Sequence, residues 1–73
     1  MDIQKNFGLR IKELRAVKGL SQEALSHKAE LDRTYITSVE NGKRNVSIQA
    51  IQKIVKGLDV SFSEFFTSNL FDA

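Results

Sequence analysis

"LDRTYITSVENGKRN", residues 31–45, combines an apolar stripe with a surface that is unusual for a helix made only to pack. Its apolar residues recur at helical spacing, whereas Thr34, Thr37 and Ser38 fall outside that stripe. Long Glu, Lys and Gln side chains form helices better than Thr or Ser, so propensity does not explain this surface. We interpret the small hydroxyl residues as a surface selected for contact with a partner.

The same stretch ends in a cluster of cations. Arg33 lies in its first turn, and Lys43 and Arg44 follow its end. The whole chain has a net charge of only +2, but residues 33–56 carry five basic residues against one acid, and no Lys or Arg follows Lys56. A basic body with an acidic, aromatic C-terminal segment indicates two faces with different partners.

The length of the chain limits what it contains. Its 73 residues have room for one small domain, and we treat residues 1–73 as that domain. The absence of cysteine argues against a disulfide framework and against a thiolate metal site. No apolar run approaches the ~20 residues that span a bilayer, and the first residues lack the apolar core of a signal peptide. We therefore expect a cytoplasmic protein without a membrane segment.

The sequence offers no constellation of residues for catalysis. It has one histidine, no glycine-rich phosphate loop, and no nucleophile with an evident base. That histidine, His27, also lacks a second metal ligand at a useful spacing. We expect no enzyme activity, no metal and no cofactor, and a chain this short leaves no domain for sensing a small molecule.

Helical spacing of apolar residues dominates the chain, and no strand pattern of period two is sustained. Four favourable N-cap residues each follow an apolar residue and precede another by four positions, which is the hydrophobic-staple pattern. These caps are Ser21, Asp32, Ser47 and Ser61. The pattern predicts an all-α fold. Its five helices lie near residues 3–18, 22–29, 33–41, 48–57 and 62–68.

The second and third predicted helices are short and are joined by about three residues, which is the layout of a helix-turn-helix. Residues 20–45, "LSQEALSHKAELDRTYITSVENGKRN", resemble the DNA-binding core of the phage-repressor and Cro-like (XRE) family. Within that family, "LDRTYITSVENGKRNVS" followed by "IVKGLDVSFSEFF" is similar to the controller proteins of restriction–modification systems. The resemblance implies a compact five-helix repressor-like domain that binds palindromic operators as a dimer and regulates its own gene and the endonuclease gene.

Two positions depart from the pattern that is common in the family. Glu30 stands in the turn where many members have glycine, and Val46 stands after the third helix where many have proline. Because a non-glycine residue in the left-handed region costs roughly 1–2 kcal/mol, we expect this turn to be strained or differently shaped.

Residues near the start of a recognition helix reach base edges in the major groove. Arg33 has two parallel donors that suit guanine O6 and N7, and the methyl groups of Thr34 or Thr37 suit a thymine methyl. The alternative is an exposed helix with ordinary polar residues. The predicted base contacts are Arg33, Thr34, Tyr35, Thr37 and Ser38.

The predicted phosphate contacts flank this helix. Gln22 opens the second helix, where free backbone N–H groups favour an anion, and the loop after the third helix is basic. In the family, the residues that match Gln22, Asn41 and this loop commonly contact the DNA backbone, although a charged run is more often only a solvated face. The predicted phosphate contacts are Gln22, Asn41, Lys43, Arg44 and Asn45.

Glu40 falls on the apolar side of the third helix, where an unpaired carboxylate is costly. The resemblance implies that Arg15 on the first helix is its partner. The alternative is a partly exposed glutamate at the end of a helix.

Four of the five phenylalanines lie after residue 60. A domain this small has little interior for all of them, and exposed aromatic residues mark an interface. We predict a homodimer through the segment of about residues 59–73, with the interface residues Phe62, Phe66, Leu70 and Phe71. The alternative is that this segment folds back as a lid over the first helix.

Two other functions remain open from the sequence. One is an antitoxin-type helix-turn-helix protein, and the other is a protein-binding helical adaptor with the aromatic segment as its main surface. A salt titration of duplex binding separates the adaptor from a DNA-binding protein, because phosphate contacts weaken steeply with salt.

Overall fold

The computed structural model describes residues 1–72, which form five α-helices and one turn of 3₁₀ helix, with no strand among them. The elements are α1 (Ile3–Lys18), α2 (Gln22–Ala29), α3 (Arg33–Glu40), α4 (Ile48–Gly57), α5 (Phe62–Phe66) and the 3₁₀ turn Asn69–Phe71. The predicted all-α fold is confirmed. Within the described part of the chain, no helix is both long enough and apolar enough to cross a membrane.

The predicted domain and the predicted C-terminal segment both extend to Ala73, which lies outside the described residues. Two helices are shorter than predicted. α3 ends at Glu40 because Asn41 has φ −86° and ψ 4°, after which the chain turns through Gly42 at φ 74°. α5 ends at Phe66 because the following threonine is no longer helical, with ψ 86°.

Local side-chain caps set where the helices begin. In each of α2 to α5 the side chain of the residue before the helix accepts a hydrogen bond from a backbone N–H of the first turn. These are the four caps that the sequence predicts, Ser21, Asp32, Ser47 and Ser61. Asp2, which the staple pattern did not identify, caps α1 by accepting from the backbone N–H of Lys5. The helix starts are therefore encoded locally.

The turn between α2 and α3 is built around Glu30, whose backbone is left-handed at φ 55° and ψ 42°. The Glu30 N–H bonds to the carbonyl oxygen of His27 at 3.2 Å, and the Leu31 N–H bonds to that of Ser26 at 3.0 Å. These two bonds form a Schellman motif. The turn therefore keeps a regular helix-ending geometry while a non-glycine residue occupies a position that costs about 1–2 kcal/mol.

The hydrophobic core lies where α1 to α4 meet, and α5 closes it. Phe65 of α5 is fully buried, and its ring centroid lies 5.0 Å from that of Phe7 on α1. The inner face of α3 contributes Ile36 and Val39, which are also almost completely buried. Because the core holds α3 along this one face, its opposite face remains at the surface.

Arg10 ties the end of α5 to α1. Its Nε donates to the carbonyl oxygen of Phe65 at 2.8 Å, and its Nη2 donates to those of Glu64 at 2.8 Å and Thr67 at 3.3 Å. These carbonyls belong to the end of a five-residue helix, where backbone acceptors otherwise lack partners. Arg10 therefore fixes the C-terminal segment on α1.

The residues after α5 return along α1, as in the lid arrangement. Asn6 donates from Nδ2 to the carbonyl oxygen of Leu70 at 2.8 Å. Leu70 and Phe71 are half-buried, and Phe71 packs against the core. Phe62 and Phe66 remain 49% and 39% exposed. The four predicted interface residues thus divide into two that the chain partly covers itself and two that it leaves at the surface.

Candidate nucleic-acid interface

The start of α3 is organised by Asp32. One oxygen of its carboxylate, Oδ1, accepts from the backbone N–H of Thr34 at 2.8 Å and from the Thr34 hydroxyl at 2.7 Å. These hydrogen bonds, the one from the hydroxyl first, lower the pKa of Asp32 below its ordinary value. The first turn of α3 is therefore capped by an ionised carboxylate, and Thr34 is held beside it.

Arg33 projects from this first turn into solvent, with 62% of its side chain exposed. Its Nη1 lies 4.0 Å from Oε2 of Glu23 on α2, whose side chain is equally open to water. An exposed ion pair at this distance contributes little, typically under ~1 kcal/mol. The Arg33 guanidinium is therefore free to leave Glu23 for a stronger partner.

Arg44, in the loop after α3, forms a second cationic feature with Tyr35, which lies in the first turn of α3. The guanidinium carbon of Arg44 lies 5.1 Å from the centre of the Tyr35 ring, within the range of a cation–π contact. Tyr35 is half-buried, whereas Arg44 is exposed. The contact places an arginine from the loop after α3 next to the outer face of the helix.

The loop after α3 presents the other predicted phosphate contacts. Asn41, Lys43, Arg44 and Asn45 are all exposed. Gly42 gives the loop its shape, because its φ is +74° and a Cβ at this position would lie 3.0 Å from the Cα of Lys5. The loop therefore lies close against the start of α1.

An ion pair joins α1 to the inner end of α3. Arg15 donates from Nε to Oε2 of Glu40 at 2.6 Å and from Nη2 to Oε1 at 2.8 Å, and its Nη1 donates to the carbonyl oxygen of Leu20 at 3.0 Å. The Glu40 side chain is completely buried. Hydrogen bonding to Glu40 raises the pKa of Arg15, against the lowering effect of burial. The bidentate geometry fixes the orientation of α3 relative to α1.

Gln22 connects this ion pair to the outer face of α3. Its Nε2 donates to Oε1 of Glu40 at 3.0 Å, and its Oε1 accepts from the Thr37 hydroxyl at 3.0 Å. The sequence predicts a phosphate contact for Gln22 but not these two bonds, which require α2 and α3 to be adjacent in space. The Gln22 amide is therefore a fixed part of the structure.

The ten predicted DNA-contact residues lie on α3, in the loop that follows it and, for Gln22, at the start of α2, where the Gln22 amide contacts Thr37. Thr34 and Arg33 are exposed, and the remaining three predicted base-contact residues, Tyr35, Thr37 and Ser38, are half-buried. Sequence reasoning missed Arg10, which anchors the end of α5 to α1. The available signal was its spacing, since Arg10 lies three residues after Phe7 and four before Leu14 on the apolar face of α1.

A second surface, mainly apolar, lies beside the loop that follows α3. Phe66 borders a groove of about 180 Å³, which is also lined by Ile3, Gln4, Phe7, Arg44, Asn45, Val46 and Ile51. The most exposed apolar residues near the groove and on α4 and α5 are Ile3, Ile48, Phe62 and Phe66. We call these four residues the α4–α5 apolar surface; it includes Ile3 and Ile48, which lie outside the C-terminal segment that the sequence predicts.

Comparison with known proteins identifies the family. A family profile described as "Helix-turn-helix" matches residues 11–65. The control protein C.MunI from a Mycoplasma species is 49% identical over 67 residues, covering 90% of each chain.

Two solved structures are similar throughout this fold. The restriction–modification controller protein C.AhdI from Aeromonas hydrophila has a TM-score of 0.84 and 45% identity, covering 90% of this chain and all of the other. The controller protein C.Esp1396I, solved as a tetramer in complex with its natural 35-base-pair operator, has a TM-score of 0.83 and 43% identity, covering 86% of this chain and 83% of the other. The chain therefore belongs to the phage-repressor and Cro-like (XRE) helix-turn-helix family, in the group of restriction–modification controller proteins.

Proposed function

We propose that this protein is a sequence-specific regulator of transcription that binds double-stranded DNA through the outer face of α3. The observation that carries the proposal is the placement of α3, which is capped by Asp32 and tied from inside to α1 through Arg15 and Glu40. A helix held this firmly on one face and covered with short polar groups on the other fits the major groove. The proposed activity is binding, without catalysis or a cofactor, in the cytoplasm.

The base contacts come from the five residues along the outer face. Arg33 is exposed and only weakly paired, so its guanidinium is available for the O6 and N7 atoms of a guanine. Short side chains behind it let the helix backbone approach the base pairs. The proposed base-contact residues are Arg33, Thr34, Tyr35, Thr37 and Ser38.

The phosphate contacts come from the two segments that flank α3. Gln22 Nε2 carries a second hydrogen that its bond to Glu40 does not use, and this N–H is suited to a phosphate oxygen. Lys43 and Arg44 supply cations on the opposite flank. The proposed phosphate-contact residues are Gln22, Asn41, Lys43, Arg44 and Asn45.

The proposed functional unit is a symmetric homodimer. A single recognition helix reads few base pairs, whereas two helices related by a twofold axis read half-sites roughly one DNA turn apart. The α4–α5 apolar surface is available for the interface, and the segment after Lys56 carries acids but no Lys or Arg, which suits a surface turned away from phosphate. We place Phe62 and Phe66 at the centre of the interface, with Leu70 and Phe71 supporting them from behind.

The regulatory role follows from the relatives. C.Esp1396I is bound to its own operator as a tetramer, and C.MunI is a control protein. By analogy, the proposed targets are palindromic operators that control the gene for this protein and the gene for its companion endonuclease.

The test is selection of bound duplexes from a random pool with the full chain. We expect a palindromic consensus whose half-sites are about one DNA turn apart and a Kd that rises steeply with salt. Selection that enriches no sequence, or binding that does not respond to salt, contradicts the proposal.

A further inference from the structure

The hydroxyl group of Thr37 lies between two acceptors that belong to the protein. Its Oγ1 is 3.0 Å from Oε1 of Gln22 and 3.1 Å from the carbonyl oxygen of Arg33. A threonine hydroxyl has one hydrogen to donate and lone pairs with which it accepts. Where this hydrogen points decides which base edges Thr37 is able to bind.

The hydrogen-bonding capacity of its neighbours fixes the orientation of the Gln22 amide. Its neighbour on one side is the Glu40 carboxylate, which is buried and bound by the Arg15 guanidinium through two hydrogen bonds. An ionised carboxylate only accepts hydrogen bonds, so the amide must turn its NH₂ group toward Glu40. Its oxygen then faces Thr37, as the structure has it.

The Thr37 hydrogen is consequently directed inward. Both oxygen atoms beside the hydroxyl, the Gln22 amide oxygen and the Arg33 carbonyl oxygen, are acceptors and supply no hydrogen to Thr37. Each hydrogen bond in the chain from Arg15 through Glu40 and Gln22 to Thr37 polarises the next one. This strengthens the preference of the Thr37 hydrogen for the Gln22 oxygen. Toward solvent, the half-buried Thr37 hydroxyl therefore presents lone pairs.

We propose that Thr37 is a specificity-determining residue that offers a hydrogen-bond acceptor to the major groove and selects a base with an amino group. Adenine N6 and cytosine N4 are the amino donors at the edges of the major groove, whereas guanine O6, guanine N7 and thymine O4 are acceptors. Phosphate oxygens are also acceptors, so the same reasoning excludes Thr37 from the phosphate contacts. This inference rests on the proposed function.

The position of Thr37 indicates which base it reads. Thr37 lies four residues after Arg33, on the same side of α3 and one turn further along. One turn of α-helix rises ~5.4 Å, and successive base pairs are ~3.4 Å apart. The selected adenine or cytosine therefore lies one or two base pairs from the base that Arg33 reads.

Thr34 provides an internal comparison. Its hydroxyl also donates to a protein acceptor, Oδ1 of Asp32 at 2.7 Å, but Asp32 is exposed and water competes for that bond. The Thr34 hydroxyl therefore exchanges its bond to Asp32 with water more readily, whereas the Thr37 hydroxyl is held by the buried Arg15–Glu40 pair acting through Gln22.

The experiment compares wild type, Thr37→Val, Thr37→Ser and the matched control Thr34→Val. Duplex selection with each protein locates the base position whose preference depends on the Thr37 hydroxyl. Duplexes are then made in which the base at that position lacks only its amino group. Unsubstituted purine takes the place of adenine, or 2-pyrimidinone takes the place of cytosine. We expect this replacement to weaken binding of wild type, Thr37→Ser and Thr34→Val by about 3- to 10-fold and to leave Thr37→Val unchanged.

Three results would overturn the inference while the proposed function stands. The first is a Thr37→Val consensus identical to that of wild type. The second is that Thr37→Val loses a preference for guanine or thymine, which would show that the Thr37 hydroxyl donates a hydrogen bond to the base. The third is equal weakening of all duplexes with a flatter salt dependence, which would make Thr37 a phosphate contact. A wild-type protein without any base preference would instead overturn both proposals.

Discussion

Gly8 of α1 lies directly against the backbone at the end of α3, where it faces the carbonyl group of Glu40. A Cβ atom at residue 8 would come within 2.5 Å of the Glu40 carbonyl oxygen and within 2.6 Å of the Val39 carbonyl oxygen. Residue 8 is therefore glycine because α1 and α3 approach closely at this point, and not because its backbone angles require glycine. The same approach lets Arg15, two turns further along α1, reach the Glu40 carboxylate.

Replacement of Gly8 by alanine is expected to separate α1 from α3. Overpacking against backbone atoms costs about 3 kcal/mol at the upper end of its usual range, and alanine regains about 1 kcal/mol in helix propensity. We expect Gly8→Ala to lower the free energy of unfolding by about 2 kcal/mol in urea titrations and to weaken DNA binding. Ala16→Gly, at an exposed position of α1, is the control and should cost about 1 kcal/mol without affecting DNA. A Gly8→Ala variant more stable than wild type would contradict the close approach.

The Arg15–Glu40 pair is expected to hold α3 in place, so that replacing either residue alone destabilises the protein substantially. Removal of one partner of a buried, hydrogen-bonded pair costs roughly 3–5 kcal/mol because the other charge is left buried. Arg15→Met and Glu40→Gln, with the double variant, form a double-mutant cycle measured by urea unfolding. A coupling energy near zero would show that the two charges act independently.

Asp32 is expected to make the stability of α3 depend on pH. Hydrogen bonds from Thr34 lower the pKa of Asp32 below its ordinary value of 3.8. The contribution of the ionised carboxylate is therefore present above this value and is lost as the pH falls through the lower pKa of the folded protein. The stability advantage of wild type over Asp32→Asn, which keeps a capping oxygen, should shrink below a pH of about 4. A stability advantage that stays constant as the pH falls well below about 4, or an NMR titration of Asp32 at its ordinary pKa, would exclude this effect.

The sequence predicted the parts of the fold that depend on neighbouring residues. The caps Ser21, Asp32, Ser47 and Ser61 act within one helical turn, and each forms as its spacing indicates. Arg10 and Gln22 gain their roles from residues 54 and 18 positions away, Glu64 and Glu40, so their roles appear only once the helices pack.

The C-terminal segment shows a second limit of sequence reasoning. The spacing of its apolar residues does not decide whether they cover the chain itself or a second copy. In the structure Arg10 and Asn6 anchor this segment by bonds to backbone carbonyls, which any sequence provides. Phe71 is thereby drawn onto the core while Phe66 stays at the surface.

Arg33 is expected to read a base, in contrast to Lys43, which should contact a phosphate. Arg33→Ala should cost about 1–3 kcal/mol in binding and relax the preference at one base-pair position in each half-site. Lys43→Ala should weaken all duplexes similarly and reduce the salt slope by about one. Kd values measured over a panel of single-base operator variants distinguish the two. Equal weakening of every duplex by both variants would show that Arg33 is not a base contact.

The α4–α5 apolar surface is expected to form the dimer interface. Phe62 is the best position to test, because its side chain is 49% exposed and lies outside the cluster of phenylalanine rings. Phe66 is less suitable, since its ring lies 4.8 Å from that of the buried Phe65 and a charge there would also disturb the core. We expect Phe62→Asp to convert the dimer to a monomer in sedimentation velocity experiments. Its operator affinity should fall in parallel because half-site binding loses its cooperativity.

The matched control for this dimer prediction is Val17→Asp. Val17 is 77% exposed on α1, outside the α4–α5 apolar surface, so the same charge there should leave both the dimer and DNA binding unchanged. Melting temperatures of the two variants close to that of wild type would show that the substituted chains still fold. If wild type remains monomeric at high micromolar concentration and still binds its operator without cooperativity, the exposed phenylalanines have another role. In that case the operator would be read by single copies, each limited to the few base pairs that one recognition helix spans.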